Sequence, residues 1–95
     1  MFSVLVVDII ADGKFKHQYG FEFNPLFPID SRDLEKAVRN EYPSLKNKKI
    51  HIDFVCVVSK KDYRPWKKYN AVNDRKYDFF AHNLMFKGDE RSCLR

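Results

Sequence analysis

Cations alternate with aromatic rings between Lys60 and Tyr69, where the sequence reads KKDYRPWKKY. Single-stranded nucleic acid is bound by this combination, because cations neutralise phosphates and aromatic rings stack on bases. We therefore expect a nucleic-acid contact within a basic-aromatic segment, residues 60–76. The residues expected to form it are Arg64, Trp66, Lys67, Lys68 and Tyr69, with Lys48, Lys49 and Arg75 as supporting charge.

The same segment has a simpler interpretation, in which Trp66 and one tyrosine pin a long loop to the core while the lysines stay solvated. For a chain this small, pinning is the more common outcome. The lysines around residues 46–49 and those that begin at Lys60 flank a predicted strand of about ten residues, roughly 30 Å long. They form one surface only if the later segment folds back.

Catalytic and metal-binding patterns are weak in this sequence. His51 and Asp53 share one face of a predicted strand, and His17 lies on another strand, but no His-x-x-x-His or Cys-x-x-Cys spacing occurs. The Asp-x-Lys tripeptides at 12–14 and 74–76 are better explained as a hairpin turn and a helix cap. We expect no enzyme, no metal site and no cofactor.

The elements that position these residues fit a single small domain over residues 1–88, followed by a polar tail over 89–95. The chain has 95 residues and a formal net charge of +5, and 44% of it is hydrophobic, which excludes a disordered tail. Two cysteines make no disulfide framework, so we expect a cytoplasmic protein. The apolar stretch 2–10 is interrupted by Asp8 and is predicted to be a buried strand, not a signal or membrane segment.

Three strands are predicted. The first, residues 2–10, leads through a type I′ turn at Asp12-Gly13 into a second strand on which aromatic residues alternate with polar ones. The third runs from Ile50 to Ser59. The alternation predicts that one face of the second strand carries Phe15, His17, Tyr19, Phe21 and Phe23, and that one face of the third carries Ile50, Ile52, Phe54, Cys56 and Val58.

Two helices are predicted. The first spans residues 31–42, with Asp30 as its N-cap and Pro43 ending it. The second follows an apolar stripe from Tyr77 to Met85 and ends at Gly88. The predicted class is α+β, with a ββαβ core and the C-terminal helix packed on one sheet face.

The hairpin, crossover helix and third strand resemble the opening of β-grasp domains, where strand one pairs with both the second and third strands. This resemblance is topological and implies no activity. A second function class therefore stays open, a protein-interaction or homodimerisation module. It would use the aromatic sheet face, or use its positive charge on an acidic protein surface.

Overall fold

Three strands and one α-helix make up the part of the chain described by the computed structural model, residues 2–70. Strand β1 spans Ser3–Ala11, β2 spans Lys14–Phe23, helix α1 spans Ser31–Glu41 and β3 spans Ile50–Ser59, with a short 3-10 helix at Pro43–Leu45. The predicted α+β class is confirmed. The predicted C-terminal helix, Arg75 and the polar tail lie outside the described residues.

The sheet has the strand order β2-β1-β3, and both pairings are antiparallel. Asp12 and Gly13 have φ angles of 56° and 74°, as the predicted type I′ turn between β1 and β2 requires. β1 lies in the centre and pairs with both other strands. Its antiparallel pairing with β3 does not confirm a β-grasp sheet.

Helix α1 covers one face of this sheet. Its N-cap is Asp30, whose side chain accepts a hydrogen bond from the backbone N–H of Arg32 at 2.9 Å. Leu34 and Val38 are fully buried against Leu5, Val7, Ile9 and Ile52 of the strands. We call the face of the sheet that α1 covers the helix-side face. No helix within residues 2–70 is long and apolar enough to cross a membrane.

Two β-bulges place several side chains of β2 and β3 on the opposite face of the sheet from the predicted one. In β2, Ile9 pairs with His17 but Ile10 pairs with Phe15, so the register shifts by one residue at Lys16. A shift of one residue moves a side chain to the other face. Phe15 therefore does not share the face of His17, Tyr19, Phe21 and Phe23.

The second bulge lies at Val55 of β3, where Val6 pairs with Cys56 but Val7 pairs with Phe54. Cys56 and Val58 consequently leave the face of Ile52 and Phe54, and Val57 joins the helix-side core. The expected single face over the whole of β3 is wrong beyond Phe54. The displaced residues contribute to a second core on the opposite side of the sheet.

This opposite side, the loop-side face, is covered by the residues that follow β3. Tyr63 and Tyr69 pack on a cluster formed by Val4, Val6, Val55, Cys56 and Val58. β1 is thus covered on both faces, which explains why Val4, Leu5, Val6 and Val7 are all buried. Residues 60–70 are called the return loop from here on.

Candidate functional site

The return loop runs back across the loop-side face, from the end of β3 towards the hairpin between β1 and β2. At its start, Lys60 donates its backbone N–H to Phe2 O at 3.1 Å, and its Nζ lies 2.6 Å from Glu22 Oε2. At its end, Tyr69 N–H donates to Gln18 Oε1 at 2.7 Å. The chain after Lys60 therefore folds back towards the hairpin. This is the condition stated above for the lysines around residues 46–49 and the later lysines to form one surface.

Two tyrosines anchor this loop to the sheet. The rings of Tyr63 and Tyr69 stack with centroids 5.8 Å apart and planes 13° from parallel, and Tyr69 is only 5% exposed. Burial raises the pKa of the Tyr63 phenol above its ordinary value of 10.0, and the neighbouring Tyr69 raises it further. The ring of Tyr69 belongs to the core. It is therefore too buried to serve as the predicted stacking platform for a base.

Trp66 has the opposite environment. Lys67 N–H donates to Arg64 O at 3.1 Å, which closes a four-residue turn whose second residue is Pro65, the preferred residue there. Trp66 is the third residue of that turn, and it is 81% exposed. The predicted pinning role is therefore filled by the two tyrosines, whereas the indole is displayed to solvent.

Arg64 stabilises the turn from within. Its backbone N–H donates to Tyr69 Oη at 3.0 Å, and its Nη1 donates to Lys61 O at 2.7 Å and to Tyr63 O at 3.1 Å. These bonds join the first residue of the turn to both anchored tyrosines and to Lys61. Trp66 is consequently held on a well-braced loop.

The lysines that follow the turn lie over aromatic rings. Lys67 Nζ is 4.3 Å from the ring centroid of Tyr69, and Lys68 Nζ is 4.0 Å from that of Phe15. Both distances are within the range of cation–π attraction. Phe15 is 48% exposed, so an accessible aromatic residue and a cation meet at the hairpin end of the sheet.

Two more predicted residues lie at this hairpin end. Lys48 and Lys49 precede β3 and are exposed, and Lys48 Nζ lies 3.2 Å from Asp12 Oδ2 in the hairpin turn. Phe15 pairs with Ile10, and Ile10 pairs with His51. From strand spacing and rise, the Cα atoms of Phe15 and Lys49 are roughly 12 Å apart.

Sequence reasoning missed three residues of this surface: Lys14, Phe15 and Lys16. Lys14 and Lys16 are exposed on either side of Phe15. The tripeptide already showed the cation–aromatic alternation of the later segment. It was overlooked because residues 1–30 as a whole have a net charge of −2.

The described histidines do not converge. His17 stacks on Tyr42 with centroids 3.9 Å apart on the helix side, whereas His51 Nε2 lies 2.7 Å from Asp53 Oδ1, and the β1–β3 pairing places both on the loop side. Among residues 2–70 no three His, Cys, Asp or Glu side chains are grouped as metal ligands. His82 lies outside this range.

No protein-family model matches the chain, and neither a curated protein nor a solved structure matches it.

Proposed function

We propose that this protein is a non-catalytic binding domain that contacts single-stranded nucleic acid through the return loop and the hairpin end of the sheet. The observation that carries the proposal is the exposed indole of Trp66 on a braced turn, flanked by cations. Aromatic platforms within a positive groove are what single strands require. This basic-aromatic surface consists of Lys14, Phe15, Lys16, Lys48, Lys49, Arg64, Trp66, Lys67 and Lys68.

The charge of the surface supports the proposal. Lys14, Lys16, Lys49 and Lys68 have no carboxylate within ion-pair distance in residues 2–70, whereas Lys60 of the return loop pairs with Glu22. Unpaired cations attract phosphates without first breaking an ion pair. The hairpin end therefore provides charge, and the return loop provides both charge and a stacking ring.

The proposal is tested by fluorescence anisotropy with a labelled single-stranded oligonucleotide, measured at low and near-physiological salt. Removing a stacked ring costs about 1–3 kcal/mol per base, so Trp66→Ala should weaken binding by about fivefold or more. Phe27→Ala is the matched control, because Phe27 is also exposed, at 66%, but lies outside the proposed surface. It should leave the affinity unchanged.

Two further arms identify the ligand class. A duplex oligonucleotide should bind more weakly than the single strand, because its bases are not free to stack on Trp66. An acidic polypeptide should bind more weakly still. Equal affinity for all three would reduce the interaction to non-specific charge attraction, and no binding at low salt would refute the nucleic-acid proposal.

A protein-interaction or homodimerisation module is the second candidate, and one observation favours it. Leu26 and Phe27 are exposed, at 85% and 66%, on the loop that follows β2, and adjacent exposed apolar residues are typical of contact surfaces. The face first considered for this role is less suitable, because Tyr19, Phe21 and Phe23 pack against the helix-side core. The β-grasp topology and a cytoplasmic location stay predictions under either function.

A further inference from the structure

Gln18 of β2 connects the sheet to the return loop through its side-chain amide. Its Oε1 accepts the N–H of Tyr69 at 2.7 Å, and its Nε2 donates to the carbonyl oxygen of the same residue at 3.0 Å. The two bonds reproduce the reciprocal pair that facing residues of antiparallel strands exchange. A side chain thus replaces a neighbouring strand and binds the backbone of residue 69.

The orientation of this amide is fixed by Asp8 of β1. Gln18 Nε2 also donates to Asp8 Oδ1, at 2.8 Å. A carboxylate only accepts hydrogen bonds, so it selects the rotamer in which the NH₂ group points towards Asp8. The oxygen of the amide is then left for the N–H of Tyr69.

We infer that Gln18 is a positioning residue, which clamps residue 69 to the sheet and thereby holds Trp66, Lys67 and Lys68 in the arrangement that binds nucleic acid. This inference rests on the proposed function. Lys67 and Lys68 immediately precede the clamped residue, and the Tyr69 hydroxyl accepts a hydrogen bond from Arg64 at the start of the Trp66 turn. Both sides of the turn therefore depend on the position of Tyr69.

The clamp acts on affinity through preorganisation. A loop that is already ordered loses less conformational entropy when it binds. Without the clamp, the cations and the indole are unchanged in number and kind, but they must be ordered at the moment of binding. The affinity should fall, whereas the number of phosphates contacted should not.

The test compares Gln18→Met, which keeps the length of the side chain and removes its hydrogen bonds, with the unchanged protein and with Asp8→Asn. Amide hydrogen exchange is the first measurement. The Tyr69 amide should exchange at least about tenfold faster in Gln18→Met, since its acceptor is lost. It should stay protected in Asp8→Asn, which keeps an acceptor for Gln18, and the β1 amides should stay protected in both variants.

Oligonucleotide affinity is the second measurement. Gln18→Met should bind a single strand about fivefold more weakly, with the same dependence of log affinity on log salt as the unchanged protein. Gln18→Glu, which loses both donated hydrogen bonds and places a second carboxylate beside Asp8, should weaken binding in the same direction. Gln18→Glu also replaces Gln18→Met as the test variant if Gln18→Met unfolds, which faster exchange of the β1 amides would show.

The results separate the clamp from the proposed function. Unchanged exchange at Tyr69 in Gln18→Met would overturn the clamp whatever the protein binds. Faster exchange with unchanged affinity would overturn its positioning role. If the unchanged protein binds no oligonucleotide, the proposed function and the positioning role both fail, and the exchange data still show whether Gln18 holds the loop.

Discussion

Gly20 allows the return loop to lie directly on the sheet. A Cβ atom at this position would lie 2.5 Å from both Cζ and Oη of Tyr63, and 2.9 Å from Cγ1 of Val4. The absence of a side chain therefore creates the space that the phenol ring occupies. Glycine within a strand often marks such a close approach.

Gly20→Ala should destabilise the protein by about 1–3 kcal/mol, because the added methyl overpacks the contact between Tyr63 and Val4. Urea unfolding measures the change. In a Tyr63→Ala background the same substitution should cost less, since the ring that it displaces is gone. Equal costs in both backgrounds would contradict the proposed contact.

Single residues differ in how far the sequence predicts their roles. The Asp12-Gly13 turn and the Asp30 cap are predicted correctly, because each depends on its own conformational preference and on neighbours within a few positions. The role of Gln18 depends on residue 69, which is 51 positions away. No local pattern indicates such a partner.

Arg39 joins helix α1 to the connection that leads into β3. Its Nη1 donates to the carbonyl oxygens of Leu45, Lys46 and Lys48 at 2.6, 3.1 and 2.9 Å, and its Nη2 lies 3.0 Å from Glu35 Oε2. From the sequence alone, Arg39 is one more polar residue outside the apolar stripe.

Arg39→Lys should lower the free energy of unfolding by about 1–2 kcal/mol, because an ammonium group keeps the charge but cannot reach the carboxylate and the carbonyls together. Arg32→Lys is the matched control on the same helix, since Arg32 is exposed and pairs only with Asp30 among the described residues. That change should stay within about 0.5 kcal/mol. Equal losses in chemical denaturation would show that the guanidinium geometry of Arg39 is unimportant.

Whole elements are predicted better than their registers. The ends of β3 agree with the sequence prediction, and α1 ends one residue earlier than expected. The alternation that locates a strand cannot show a bulge, because Phe15 and Cys56 continue the pattern with side chains suited to either face. Pairing with β1 decides where the extra residue lies, and it moves Phe15 to the surface that Lys68 reaches.

At the scale of the whole molecule, the fold determines where positive charge collects. On helix α1, Arg32 and Arg39 pair with Asp30 and Glu35. At the hairpin end of the sheet, lysines that are far apart in sequence come together, and one of them, Lys68, lies over Phe15. Among residues 2–70 the fold thus concentrates positive charge there more than the sequence indicates, because the return loop runs back along the sheet.

The salt dependence of binding measures how far the nucleic-acid contact extends. For single strands log affinity falls by about 0.7 per neutralised phosphate for each unit of log salt, so Arg64, Lys67 and Lys68 alone give a slope of roughly −2, and three hairpin-end lysines added to them give roughly −4. We expect the steeper slope. Replacing Lys14, Lys16 and Lys49 by Gln should return it to roughly −2.

A variant with the same change in net charge distinguishes local contact from net charge. Replacing Arg32 by Gln and Lys36 by Glu lowers the net charge by the same three units on the outer side of α1, where both residues line one groove. Because screening limits charge effects to about 10 Å at 0.1 M salt, charges across the sheet contribute little at that ionic strength. The slope should therefore stay near −4 in this variant, whereas equal reductions in both would mean that total charge, not the hairpin end, governs binding.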